Sequence, residues 1–194
     1  MNSIIRDVSI DRRISPDDFR SAMRRLAGGI SVITAGEGRD ISGMTVTSVT
    51  SLSVEPPTLI VCVNREASSW PLVKRYGFFG VNILTADQSD IAERFAGKGG
   101  LKGIDRFTGA RWNTGVSGVP LLGDALAAID CEVEDVVERH SHAIIVGRVL
   151  DVTVSPRTAA LAYWQGQYVA IDRDEDALKL AEVGVPGRRA VRLG

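Results

Sequence analysis

The sequence predicts a mainly β fold, an antiparallel β-barrel with a few helices. About seven short segments are rich in β-branched and apolar residues, and many of them alternate apolar with polar side chains. Most of these segments are separated by turns rather than by helices, which favours an antiparallel barrel over a doubly wound α/β sheet. The 194 residues show no break in composition, so one domain is expected, with short extensions at its ends.

The first predicted element is a helix in residues 15–27. Ser15 suits the N-cap, Pro16 suits the first helical position, and two aspartates follow where negative charge is favourable. Apolar residues at helical spacing give this helix one apolar face; they are Phe19, Ala22, Met23 and Leu26. Two further short helices are predicted in residues 68–77 and 86–97.

Strands are predicted between and after these helices. The two longest, residues 127–138 and 142–154, are expected to pair as an antiparallel hairpin. The other predicted strands cover residues 29–36, 41–49, 57–63, 78–84 and 167–172. The glycine-rich segment 96–109 is predicted to be a long flexible connection, and such loops often carry function.

Composition and charge argue against several classes of protein. The formal net charge is −1 and the basic and acidic residues are interleaved, unlike the basic surface of a nucleic-acid-binding protein. No apolar run approaches the roughly 18 residues of a membrane span, and no secretion signal is found, so a cytoplasmic protein is expected. Cys62 and Cys131 have no metal-ligand spacing and are interpreted as small buried residues. The only histidines are His140 and His142, so no metal site is expected.

The chain lacks the common sequence motifs of nucleotide-binding and acyl-transfer enzymes. It has no G-x-x-x-x-G-K-[ST] segment, no G-x-G-x-x-G after a strand and no G-x-S-x-G. Such a shortage of catalytic side chains favours a protein that lends its site to a reactive cofactor.

Residues 43–53, GMTVTSVTSLS, place six hydroxyl side chains beside a predicted buried strand. Alternation would divide this segment between the two faces of a strand, with Thr45, Thr47 and Val49 on one face and Val46, Ser48 and Thr50 on the other. Uncharged donors and acceptors at a strand end suit the pyrimidine edge of an isoalloxazine ring. The alternative is that threonine is simply a good strand former.

A second candidate site precedes the predicted helix 68–77. Ala67, Ser68 and Ser69 offer amides and hydroxyls to an anion such as a phosphate, with Arg65 or Lys74 nearby. The alternative is an N-cap without a ligand.

Four segments follow one another along the chain: GMTVTSVTSLSVEPPTLIVCV, NREASSWPLVKRYGFFGVNIL, AERFAGK and HAIIVGRV. In this order they closely resemble the flavin reductase-like family, the small reductases of two-component flavin monooxygenases. The resemblance covers about residues 16–172 and implies an FMN-binding split barrel, a Greek-key-like antiparallel barrel that usually works as a homodimer. It divides the chain into an N-terminal extension (1–14), a reductase domain (15–172) and a C-terminal tail (173–194), whose first half is a candidate helix.

The resemblance also implies roles for particular residues. The isoalloxazine and ribityl chain would lie against Thr45, Val46, Thr47, Ser48, Val49 and Thr50, and against Cys62, Val63 and Asn64 at the next strand end. The flavin phosphate would bind Ala67, Ser68 and Ser69, and Phe95 and Lys98 would close over the phosphate or adenylate side. His142 and Tyr168 would lie near the docked nicotinamide.

Some of these assignments have alternatives or departures. Phe95 is equally well explained as a core residue and Lys98 as a solvated one. Trp112 and Trp164 are expected to pack rather than bind. Trp70 stands where such proteins often carry threonine, which removes one possible phosphate hydroxyl.

These observations together predict an NAD(P)H:flavin oxidoreductase. The hypothesis is hydride transfer from the nicotinamide C4 to the flavin N5, with reduced FMN or FAD then supplied to a partner monooxygenase. NADH is favoured over NADPH because no arginine cluster for a 2′-phosphate stands out, and His142 is expected to position the nicotinamide rather than act as an obligate acid or base. Two alternatives stay open: an oxidase of the same fold with tightly held FMN, and a non-enzymatic flavin- or haem-binding module.

Overall fold

Residues 14–172 are described by the computed structural model, and they are mainly β. Within this range twelve strands form three antiparallel sheets, connected by three α-helices and two 3-10 helices. The mainly β, antiparallel fold predicted from the sequence is therefore confirmed. The predictions for residues 1–13 and for the tail, residues 173–194, fall outside the described residues.

The helices are short. The α-helices are α1 (Pro16–Met23), α2 (Trp70–Tyr76) and α3 (Ser89–Phe95). The 3-10 helices, Lys98–Gly100 and Gly103–Phe107, both lie in the glycine-rich segment that was predicted to be an unstructured connection. Nowhere between residues 14 and 172 does a helix have the length and apolar character needed to cross a membrane.

The strands, in chain order, are β1 (Gly28–Gly29), β2 (Ser31–Glu37), β3 (Asp40–Val46), β4 (Thr50–Val54), β5 (Pro57–Asn64), β6 (Phe78–Ile83), β7 (Trp112–Thr114), β8 (Pro120–Leu122), β9 (Ala127–Arg139), β10 (His142–Val154), β11 (Ala160–Trp164) and β12 (Gln167–Ile171). The predicted long hairpin is β9–β10. The predicted strand 41–49 ends early, at Val46, and a separate strand, β4, begins at Thr50. Strands β1, β4, β7, β8 and β11 were not predicted.

Seven strands form one sheet in the order β3-β2-β6-β9-β10-β5-β4. Its two outermost strands, β3 and β4, are consecutive in sequence and are joined by residues 47–49 alone. Four peptide units span at most about 14 Å, so the two edges of this wide sheet must lie close together. The sheet therefore curls into a barrel. We call residues 47–49 the seam, because they join the two edges of the sheet.

A three-stranded sheet, β1-β11-β12, lies against one end of the barrel. Backbone hydrogen bonds connect the two sheets: Ile30 N–H donates to Leu161 O at 2.9 Å, and Leu84 N–H donates to Ile30 O at 3.0 Å. A short pair, β7–β8, covers part of the barrel wall beside β2 and β6. The small sheet is thereby fixed beside the end of β3, next to the seam.

Two apolar clusters form the core. One fills the barrel and includes Phe79, Val61 and Ile145, with Trp70 and Val73 of α2 packed against it. The second lies between the barrel, α3 and the small sheets, and contains a set of edge-to-face aromatic contacts: Phe95 meets Phe107 at 5.1 Å and Phe107 meets Trp112 at 4.8 Å between ring centroids. The expected packing role of Trp112 is confirmed. Trp164 is 44% exposed, and its indole Nε1–H donates to Arg25 O at 3.3 Å, just after α1.

Helix α1 begins as predicted but packs differently from what its pattern suggested. Ser15 caps it, because the Asp18 N–H donates to Ser15 Oγ at 3.1 Å. No residue of the helix is buried, and Phe19 on its apolar face is 62% exposed. The helix is instead attached through its end, where Gln165 N–H donates to Arg24 O at 3.0 Å.

Candidate functional site

The seam is a break in the hydrogen-bonded ladder of the barrel. Strand pairing between β2 and β3 ends at Ser31 and Val46, and pairing between β4 and β5 begins at Thr50 and Ile60. No backbone–backbone hydrogen bond involves the N–H groups of residues 47–49 in the described part of the chain. Three consecutive amide donors are therefore left for another partner.

The Ser48 side chain connects the seam to β5, where backbone strand pairing is absent. Ser48 Oγ donates to Cys62 O at 2.8 Å and accepts from Cys62 N–H at 3.2 Å. The hydroxyl predicted to contact a ligand thus bonds to the backbone of β5 and holds the seam at a fixed distance from it.

A cavity of about 450 Å³, which we call the seam cavity, opens beside this break. It is lined by Ile30, Met44, Thr45, Val46, Thr47, Ser48, Cys62, Asn64, Ala96, His142, Tyr163 and Tyr168. Five consecutive residues, 44–48, reach the cavity, whereas a regular strand would present only alternate residues. Thr47 and Ser48 lie beyond the end of β3 at Val46, so the alternation predicted for residues 45–50 does not hold across the seam.

Two polar side chains of the seam cavity are oriented by the protein. Thr45 Oγ1 donates to Ala92 O of α3 at 2.6 Å, which leaves this hydroxyl free only as an acceptor. Asn64 Oδ1 accepts from Glu66 N–H at 2.9 Å. The Asn64 amide nitrogen is then the part of that side chain available to donate to a ligand.

Two tyrosines of the small sheet line the seam cavity. Tyr163 and Tyr168 sit opposite each other on β11 and β12, with ring centroids 5.7 Å apart. Burial raises the pKa of Tyr168, and the nearby Glu93 raises it further. Its phenol therefore remains protonated at neutral pH and can donate a hydrogen bond.

His142 begins β10 and lies opposite Asn64 of β5 in the strand register. The side chain is exposed in the single chain, and it lines the seam cavity. Its Nδ1 is 2.9 Å from Ser141 Oγ. This contact fixes one ring nitrogen and leaves Nε2 for a ligand.

A second cavity of about 500 Å³, the loop cavity, is continuous with the first because the two share Met44, Thr45, Asn64 and Ala96. Its other lining residues are Glu66, Ala67, Ser68, Phe95, Lys102 and Arg106. Arg106 is held by two carbonyls, with Nε donating to Leu101 O at 2.8 Å and Nη1 to Gly43 O at 2.7 Å. Lys102 and Arg106 give this cavity a positive side.

Arg65 and Lys74, the two cations expected near a phosphate, lie away from the loop cavity. Arg65 and Lys74 both pair with Glu138, at 2.7 and 3.5 Å, on the side of β9. Neither lines the loop cavity. Lys102 and Arg106 occupy that position instead, contributed by the glycine-rich segment.

Most of the residues singled out in the sequence come together at the two cavities, and five do not. Those that line neither cavity are Val49, Thr50, Val63, Ser69 and Lys98. Val63 is fully buried in the barrel core because strand alternation turns it inward, and Lys98 pairs with Glu93 at 2.8 Å. Phe95 borders the loop cavity but is only 2% exposed, so its main contacts are in the aromatic cluster.

Several lining residues were not predicted: Ile30, Met44, Ala96, Tyr163, Glu66, Lys102 and Arg106. Met44 lies within the quoted hydroxyl-rich segment, and the basic residues of the glycine-rich loop were a signal for Lys102 and Arg106. The other positions depend on tertiary contacts. Among the described residues no group of three or more His, Cys, Asp or Glu side chains is arranged to hold a metal ion.

The two cysteines differ in environment, and both are free thiols. Cys131 is fully buried, and burial raises its pKa to about 12. Cys62 is only partly buried and forms part of the seam-cavity wall. The prediction of a buried residue is confirmed for Cys131 and wrong for Cys62.

Comparison with known proteins agrees with this geometry. The family model described as "Flavin reductase like domain" matches residues 23–172. The chain belongs to this family. It is therefore an oxidoreductase of the flavin reductase type, as the resemblance implied.

Similar proteins in this family carry informative names. FMN reductase (NADH) RutF of Cronobacter turicensis is 37% identical over 155 residues, covering 80% of this chain and 92% of that protein. The structure of BorF, the flavin reductase component of a bacterial two-component tryptophan halogenase, is 32% identical with a TM-score of 0.76, covering 82% of this chain and all of that one. The NADH:FAD oxidoreductase SgcE6 of Streptomyces globisporus is 29% identical with a TM-score of 0.73, covering 81% and 96%. The predicted cofactors, a flavin and NADH, are those named in these relatives.

Proposed function

We propose that this chain reduces a flavin with NADH at the seam cavity, and that FMN is the preferred flavin. The observation that carries the proposal is the run of five consecutive cavity residues, which includes Thr47 and Ser48, whose amides have no backbone partners. A strand break of this kind offers several uncharged donors along one edge of a planar ligand.

The residues present fit a flavin mononucleotide. The unpaired amides of Thr47 and Ser48 and the Asn64 amide would donate to the ring and the ribityl chain. The Ser68 hydroxyl and the positive side formed by Lys102 and Arg106 suit a phosphate. Two adjoining cavities of about 450 and 500 Å³ offer the room that a ligand of this length needs.

When bound, the flavin supplies a ring position, N5, that accepts a hydride from the nicotinamide C4 of NADH. The contribution of the chain is to bind and orient the two ring systems, because hydride transfer needs the reacting atoms about 3–3.5 Å apart. Fixed amide donors at the seam would stabilise negative charge that develops at the pyrimidine edge. Met44 and Tyr168 line the cavity and would shield a bound ring from water.

Replacing His142 by alanine is expected to raise the KM for NADH about tenfold and to change kcat less than threefold. The ring would contact the nicotinamide through Nε2, and one lost hydrogen bond of about 1.4 kcal/mol corresponds to a factor of ten. Steady-state kinetics at saturating FMN measure both constants. An unchanged KM in a folded variant contradicts this role.

The activity itself is tested by mixing the purified protein with NADH or NADPH and with FMN or FAD. Nicotinamide absorbance should fall at a rate that rises with added flavin, faster with NADH than with NADPH. Bound flavin with no NADH consumption supports a binding module instead. Oxidation of an amine with release of peroxide supports the oxidase.

The chain is also proposed to act as a homodimer. An apolar strip runs along the outer face of β5 and β10 from the cavity wall, and continues onto the edge strand β4. It includes Ile60, Ile144, Leu52, Val54 and Leu150. The strip is unusual for a surface exposed to water, and its continuity with Cys62 and His142 supports an interface that would border the seam cavity. A second copy of the chain is the proposed occupant.

Replacing Leu52 and Val54 together by aspartate is expected to convert the dimer into a monomer. Val54 is 87% exposed in the single chain, so a charge there has little effect on the stability of the monomer. Light scattering measures the change from twice the chain mass to one chain mass. The matched control is Val116→Asp, an equally apolar residue that is 72% exposed outside the strip and should leave the dimer intact. A dimer that persists in the double variant contradicts this interface.

We further propose that the reduced flavin leaves the site to serve a partner monooxygenase. Neutral donors and two partly exposed cations suit a ligand that exchanges rather than a permanent prosthetic group. The name of BorF, a component of a two-component system, supports such a division of labour. Reduction of cytochrome c by flavin released into solution, at a rate that increases with free FMN, would support this step, and tight retention of flavin through gel filtration would contradict it.

A further inference from the structure

Arg65, in the turn after β5, connects that turn to the tip of the β9–β10 hairpin. Its N–H donates to Ser141 O at 2.9 Å, and its Nη1 donates to His140 O at 3.0 Å. Its Nη2 lies 2.7 Å from Glu138 Oε2, just before the tip. Arg65 therefore contacts both residues of the turn that precedes His142.

The turn at the hairpin tip has an unfavourable backbone conformation, which the contacts from Arg65 can stabilise. Arg139 pairs with His142, so only His140 and Ser141 form the turn. His140 has a φ of 51°, in the left-handed region that residues other than glycine seldom adopt. Ser141, the second turn residue, is also the residue whose hydroxyl meets His142 Nδ1 at 2.9 Å. Any change in the turn is therefore passed directly to the His142 ring.

We propose that Arg65 is a positioning residue for His142: it holds the hairpin turn so that Ser141 can orient the imidazole at the mouth of the seam cavity. The significance for turnover rests on the proposed function, because there His142 contacts the nicotinamide. The effect comes from geometry more than from charge, since the Arg65–Glu138 pair is partly exposed and such pairs contribute little by themselves. Lys74 also approaches Glu138 but makes no comparable contact with the hairpin turn.

The kinetic test is a double-mutant cycle between Arg65 and His142. Arg65→Met is expected to raise the KM for NADH about fivefold, with kcat and the Kd for FMN within twofold of the parent. Arg65→Lys should recover part of the loss, because its ammonium can reach only one of the two partners. In a chain that already carries His142→Ala, Arg65→Met should raise KM no further, because it acts through the missing ring. A full fivefold increase in that background overturns the proposal.

The second readout is the NMR spectrum of the histidine rings in flavin-free protein. Arg65→Met should shift the His142 ring resonances in the same direction as Ser141→Ala, because both changes free Nδ1. The matched control is Arg75→Met, which removes an exposed arginine paired with Asp40 and should leave these signals unchanged. Unshifted His142 signals in folded Arg65→Met overturn the positioning role. This measurement needs no NADH turnover, so it can still be interpreted if the proposed reductase function is wrong.

Discussion

Replacing Asn82 by leucine is expected to lower the free energy of unfolding by about 3 kcal/mol. Asn82 is fully buried on β6, and its side chain connects three strands: Nδ2 donates to Val32 O of β2 at 3.0 Å, and Oδ1 accepts from Leu122 N–H of β8 at 2.6 Å. Leucine has a similar volume but leaves a buried N–H and a buried carbonyl without these partners. Each such group costs about 1–3 kcal/mol.

Urea unfolding measures this effect as a lower midpoint with an unchanged slope. The matched control is Asn113→Leu, an exposed asparagine on β7 that should change stability by less than about 0.5 kcal/mol. A loss below about 1 kcal/mol for Asn82→Leu would indicate that the strand contacts of Asn82 are dispensable.

Replacing Cys62 by phenylalanine is expected to weaken FMN binding at least 100-fold, about 2.7 kcal/mol. Cys62 lines the seam cavity, so a benzyl group there would occupy volume that the proposed ring needs. The residue is only partly buried, so the larger side chain should leave the fold intact. Quenching of flavin fluorescence during titration measures the affinity.

Val116→Phe provides the control, because Val116 is 72% exposed, lies outside the apolar strip and lines neither cavity. It should change FMN affinity less than about threefold. Equal affinities for parent and Cys62→Phe would place the flavin elsewhere and remove the basis of the proposed function.

The sequence correctly predicted the helices and strands that depend on interactions between nearby residues. Ser15 and Pro16 predicted the start of α1, and alternating apolar residues predicted the β9–β10 hairpin. Strand β4 was missed because it is short and mostly exposed, with three polar residues among its five. The exposure of the apolar face of α1 could not be predicted either, because a periodic pattern identifies a face but not what covers it.

The site was predictable in part for a similar reason. The hydroxyl-rich segment and the residues after β5 lie in recognisable order, and the structure brings them to one cavity. The sequence did not show how the hydroxyls are used. Thr45 and Ser48 donate to backbone carbonyls, and the donors available to a ligand are instead the backbone amides left unpaired by the strand break. The basic residues of the glycine-rich loop were a signal for Arg106, but its contact with Gly43, 63 positions earlier in the chain, could not be predicted from local sequence.

The seam has a consequence for how the barrel assembles. Strands β3 and β4 are neighbours in the chain, yet five other strands separate them in the sheet. A nascent chain cannot close the barrel by extending one hairpin, and contacts between residues distant in sequence form slowly. The ring of strands is completed when the late hairpin β9–β10 pairs with both β6 and β5, so a refolding chain should recover secondary structure before it recovers the ability to bind its ligand.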